Sequence, residues 1–201
     1  MNREKILKEL EEEVKKCRKC GLYRSRTNPV FGMGNPYADI MFVGEAPGYY
    51  EDLRGVPFVG QAGKLLDRLL KETGLTREDI YIGNVIKCRP PGNRDPLPQE
   101  IEACKSYLFK QIEIIKPKLI CTLGRFALQI LVGKKVSITK QHGQLMEKGK
   151  TYIYPLFHPA AALHRVPLLK PLKEDFLRIP QILEKMEKEV SSPQQFLLFQ
   201  P

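Results

Sequence analysis

Four of the five cysteines in this chain stand where three separate stretches could share one metal centre. Cys17 and Cys20 form the pair in CRKC, Cys88 closes NVIKC, and Cys104 lies in IEACK. Zinc fingers normally bring their ligands as two close pairs, whereas here one close pair is joined by two distant single thiols. That spacing suits a four-thiolate iron–sulfur cluster closing long loops. A structural zinc ion and a set of ordinary buried thiols are the plainer alternatives, since free cysteine is commonly buried. Cys121, inside the apolar run KLICTLG, is expected to be a core thiol.

Three further groups carry chemistry. Asn84 interrupts the apolar run IYIGNVIKC, and asparagine is depleted in strands while a buried amide needs partners. Four residues of extended chain, about 13 Å, separate it from Cys88, which puts the thiol centre near Asn84 without touching it. The loop GEAPG (Gly44, Glu45, Ala46, Pro47, Gly48) can present backbone N–H groups to a ligand. It lacks a phosphate-binding lysine and a dinucleotide fingerprint, and a plain strand-to-helix turn would read the same. His158, followed by Pro159, closes another apolar run. Taken singly, each fits a structural role: a loop cap for Asn84, a hydrogen-bonded ring for His158.

The elements around these residues alternate. Ile6, Leu7, Leu10 and Val14 recur at helical spacing and lead into CRKC, and a Gly-, Pro- and Asn-rich stretch from Gly21 to Pro36 reads as loop. Strands are expected at Ala38–Gly44, Ile80–Cys88, Pro117–Gly124 and Thr151–Phe157. Helices are expected over GKLLDRLLKETG, Pro98–Ile115 and Leu168–Val190. Such alternation predicts an α/β domain with a mostly parallel sheet covered on both faces. Ligands of such sheets gather beyond the carboxyl ends of the strands, where GEAPG, Asn84 and His158 would meet.

Composition sets the outer limits. The chain has 201 residues, 42% of them hydrophobic, which suits one ordered domain over 1–190 with a tail at 191–201. No apolar run reaches membrane-spanning length, and the charged start MNREKILKELEEEVKK lacks a secretory centre, so the cytoplasm is the expected compartment. Thiols are kept reduced there, which favours metal ligation over disulfides. A net charge of +10 suits a polyanionic partner. The Lys/Glu-rich composition without tryptophan is compatible with a thermophile.

GEAPGYYED, PFVGQAGKLL, GNVIKCRPPGNRDP, SITK and HPAAAL, in that order and with the four cysteines, resemble the family 4 uracil-DNA glycosylases. The resemblance runs from Cys17 to the final helix. It implies a three-layer α/β/α fold with a four-stranded parallel sheet, and a [4Fe-4S] cluster on Cys17, Cys20, Cys88 and Cys104. It further implies hydrolytic removal of uracil from DNA, acting as a monomer in the cytoplasm and on the nucleoid. Phe58 takes the place of the ring that stacks on the base, and His158 that of the donor to uracil O2, with N–H groups around Glu45 and Ala46 adding to it. Asn84 can match uracil's O4 acceptor and N3–H donor with one amide, a pattern that cytosine reverses. Leu163 is the candidate wedge into the base stack, with Arg165 beside it.

Two positions depart from better-known uracil glycosylases. Ala46 stands where those carry the aspartate that positions water, leaving Glu51 and then Glu45 as candidates. Gly48 replaces the tyrosine that excludes thymine, a space for Tyr49, Tyr50 or Glu51 to fill. Arg89, Arg94 and the Lys134–Lys150 stretch are candidates for meeting phosphates. The tail SSPQQFLLFQP fits either packing on its own domain or docking on a replication sliding clamp. The competing functional class is a non-catalytic iron–sulfur protein of the same fold that binds nucleic acid.

Overall fold

The computed structural model describes residues 2–133 and 135–191. Six strands form one mixed sheet: β1 (Met33–Gly34), β2 (Ile40–Gly44), β3 (Ile80–Asn84), β4 (Leu119–Leu123), β5 (Met146–Lys148) and β6 (Thr151–Leu156). Their spatial order is β1-β3-β2-β4-β6-β5. The central four run parallel, and the short outer two pair antiparallel to them. The expected four-stranded sheet is therefore corrected to six. β1 emerges from the stretch read as loop, and strands of two and three residues are too short to show a period.

Side chains alternate across the sheet with period two. Ile40, Phe42, Ile80, Ile82, Leu119 and Cys121 enter one core, whereas Met41, Val43, Tyr81 and Ile120 enter the other. Burial on both faces is why these strands read as continuous apolar runs. Helices α1 (Arg3–Lys16), α4 (Pro98–Ile115) and α5 (Arg125–Leu131) cover the Met41 face. The Phe42 face carries α3 (Gln61–Glu72), α7 (Pro159–His164), α8 (Leu169–Leu177) and α9 (Ile179–Ser191). Two short helices, α2 (Tyr49–Arg54) and α6 (Ile138–Gln141), complete the set.

Local chemistry sets the boundaries. The Asn2 side chain accepts from Lys5 N–H at the start of α1. Pro98 opens α4, and the Glu100 carboxylate reaches back to Leu97 N–H. The second strand stops at Asn84 and not at Cys88, because Val85 and Ile86 turn to donate to the Gly44 and Glu45 carbonyls. The helix expected over Leu168–Val190 is divided at Arg178. Pro180 follows two residues on and has no N–H for the carbonyl one turn back. Of the tail considered for clamp docking, 191–201, Ser191 ends α9 and the remaining 192–201 lie outside the described residues. Among the described residues no helix is long and apolar enough to cross a membrane.

Candidate active site

The register aligns Gly44 with Asn84 and Leu123 with Leu156, so the chain leaves β2, β3 and β6 along one edge of the sheet. A pocket of about 360 Å³ opens there, lined by Glu45, Ala46, Pro47, Gly48, Glu51, Phe58, Asn84 and His158 among others. Gly44 lies beneath it. A methyl group on Gly44 would sit 2.4 Å from Asn84 Oδ1 and 2.8 Å from Phe58 Cζ, so only glycine lets amide and ring approach each other. Asn84 is buried, and its side-chain oxygen has no hydrogen-bond partner. An orphaned acceptor of this kind costs about 1–3 kcal/mol, which a ligand N–H would relieve.

His158 caps α7, its Nδ1 accepting from Ala160 N–H at 3.1 Å. That bond assigns the ring hydrogen to Nε2 in the neutral form. Burial pushes the imidazole from its ordinary 6.5 down to about 4, opposed by the nearby Glu51 carboxylate. At neutral pH the ring is thus an uncharged donor. It stacks on Phe58 with centroids 5.8 Å apart.

The two candidate carboxylates are held differently. Glu51 Oε1 accepts from Val59 N–H at 2.9 Å and Gly60 N–H at 2.8 Å, at the start of α3. A methyl group on Gly48 would lie 2.7 Å from Glu51 Oε2. The carboxylate therefore fills the space above Gly48, while Tyr49 and Tyr50 are about half exposed and absent from the pocket wall. Glu45 is raised to about 7 by burial and by Asp95, with Arg125 opposing.

A second cavity gathers Cys17, Cys20, Cys88 and Cys104, together with Arg26, Lys87 and Tyr107. All four are free thiols. Arg26 Nη1 donates to Cys88 Sγ at 3.1 Å, and Lys87 N–H to Cys104 Sγ at 3.2 Å. Donors aimed at sulfur suit thiolates, so the residues fit an anionic metal–thiolate group. Among the described residues no three Cys, His, Asp or Glu side chains converge closely enough to grip a single ion. Buried Lys87 ties the two cavities together, donating from Nζ to Asn84 O at 2.8 Å and to Gln111 Oε1 at 2.6 Å. Cys121 belongs to the opposite core, away from these thiols.

Residues 31–178 match the model of the uracil DNA glycosylase superfamily. A type-4 uracil-DNA glycosylase of Archaeoglobus fulgidus is 46% identical over 90% of this chain and 95% of its own length. That of Thermotoga maritima is 49% identical over 94% and 95%, respectively. The chain belongs to the type-4 uracil-DNA glycosylases. A type-5 uracil-DNA glycosylase of Pyrobaculum aerophilum is more distant, 29% identical over 66% of each chain.

Other expected residues lie around the glycosylase pocket or apart from it. Leu163 and Arg165 are exposed near the end of α7 and do not line it. Arg94 does, fixed by two bonds to Glu100. Arg89 donates to Asn93 and lies over the Tyr49 ring. Lys134 falls outside the described residues, and Lys135, Lys140, Lys148 and Lys150 are exposed. Sequence reasoning missed Ala62, Pro90, Asn93, Ala160 and His164 on the pocket wall. Asn93 carried a signal: PPGNR is turn-rich, and asparagine tolerates the left-handed backbone it adopts, φ 55°.

Proposed function

We propose that this chain is a monofunctional uracil-DNA glycosylase, which hydrolyses the bond between uracil and deoxyribose and leaves an abasic site. The observation that carries the reading is Asn84, a buried amide with an unpartnered oxygen beside a pocket that Phe58 helps to line. A base within a duplex is shielded, so the nucleotide has to swing out into that pocket. There the Asn84 oxygen accepts uracil N3–H, its NH₂ group donates to O4, and Phe58 stacks on the ring. Cytosine would leave both amide groups facing like partners, at about 1–3 kcal/mol for each unsatisfied group.

As the N1–C1′ bond breaks, its electron pair leaves with uracil and charge builds on O2. Neutral His158 stabilises that charge through Nε2–H without giving up its proton. Water held by Glu51 Oε2 adds to C1′, and its released proton passes through that carboxylate to solvent. The basic surface near Arg94 and Arg165 meets phosphates, with Leu163 wedged into the gap left by the base. The four thiols hold a [4Fe-4S] cluster, which supplies no step of this reaction and clamps the N-terminal segment to α4 and the turn after β3. The chain acts as a monomer in the cytoplasm, on nucleoid DNA.

An oligonucleotide carrying one uracil tests the reading. Wild type should release uracil without cutting the strand until the abasic site is cleaved by alkali. Asn84→Asp, which cannot donate to O4, should be slower by about a hundredfold or more while remaining folded. A wild-type protein that binds DNA but releases no uracil would establish the non-catalytic alternative instead.

A further inference from the structure

Phe58 has φ 53°, a left-handed backbone that a bulky residue rarely adopts. Such strain persists only where surrounding groups over-determine it. Here the supports are visible on every side. Gly63, in the first turn of α3, packs so closely that a methyl group there would lie 1.8 Å from Phe58 O. Beyond Phe58, the Val59 and Gly60 N–H groups are taken by Glu51. Before it, Arg77 supplies the rest.

Arg77 lies in the turn between α3 and β3, where Asp79 accepts from both the N–H and the hydroxyl of Thr76. Its guanidinium donates to Pro57 O at 3.1 Å and to Phe58 O at 2.5 Å. The same group bonds both Asp67 carboxylate oxygens, at 2.6 and 3.3 Å. One planar fork thus fastens two consecutive carbonyls to α3, a geometry that a lysine ammonium cannot reproduce.

We propose that Arg77 is a positioning residue for base excision. It holds the strained 57–60 segment so that Phe58 meets the base and the Val59 and Gly60 N–H groups hold Glu51. This rests on the roles assigned above to Phe58 and Glu51. Arg77 lines no part of the pocket, so its effect on the reaction passes through that segment.

The test combines Arg77→Met with Phe58→Ala, singly and together, in single-turnover excision from a uracil-containing duplex. Inhibition by free uracil and binding to undamaged duplex are measured alongside. Arg77→Met should slow excision by about a hundredfold and weaken inhibition by uracil, with binding to undamaged duplex unchanged. In the Phe58→Ala background the same change should cost less, because the part of its effect that passes through the Phe58 ring is already lost. Arg77→Lys, which keeps the charge and is easier to accommodate, should resemble Arg77→Met in rate; it decides the question should Arg77→Met fail to fold. Full activity in Arg77→Lys, or a loss that adds fully to that of Phe58→Ala, overturns the proposal. Full activity in Phe58→Ala itself would instead overturn the stacking role on which it rests.

Discussion

Glu51 and Glu45 lie on one pocket wall, yet only Glu51 has an oxygen pinned by two backbone N–H groups. Pinning one oxygen orients the other, which suits a group that must hold water at a fixed point. Glu51→Gln keeps an acceptor for Val59 and Gly60 but can place an NH₂ group where water needs an acceptor. It should slow single-turnover excision by about a hundredfold, and more than Glu45→Gln does. His158 gives a second prediction, in stability. Its ring takes up a proton at about 4 in the folded chain against an ordinary 6.5, so between these values the unfolded chain binds more protons. The contribution is complete above the ordinary value and is lost as pH falls toward the folded one. Urea titrations from pH 7 to 4 should show wild type losing stability more steeply than His158→Gln.

The segments that carry these residues differ in how plainly they could be read. The four long strands were visible because apolar runs of that length, bounded by Gly and Pro, have few other uses, and α4 because a Pro-rich stretch stops just at its start. β1, β5 and α2 were not: two, three and six residues leave no periodicity. Asn84 stood out as a polar residue interrupting one apolar run, and His158 as a polar residue closing another. The backbone twist at Phe58 was invisible, since φ at one residue is set by Gly63, Arg77 and Glu51 together. Why Gly44 must be glycine was likewise hidden until β2 and β3 were aligned. Its backbone is ordinary strand, so Gly44→Ala is a purely steric change. Its methyl group would push apart Asn84 and Phe58, and overpacking of this kind costs about 1–3 kcal/mol. Thermal melts should show that modest loss, while excision should fall by a much larger factor, because the displaced groups are those proposed to meet the base.

Across the whole molecule, the thiol cavity joins α1's end, the turn after β3 and α4. A cross-link between such distant segments removes freedom chiefly from the unfolded chain. Cys88→Ser should therefore lower both bound iron and melting temperature, whereas Cys121→Ser should leave iron content unchanged. Elemental analysis and thermal melts check both; stoichiometric zinc without iron would replace the cluster by a single-ion centre. In the order of synthesis, the thiols of that cavity come before the last residues of the pocket. Cys17, Cys20, Cys88 and Cys104 all precede β4, so they are in place in the chain while His158 is still unmade. The segment bearing His158 follows β6, which joins the sheet only through β4. On the roles proposed above, every thiol of the metal site is thus made before the pocket has its full set of residues, and excision waits for the last strand to dock.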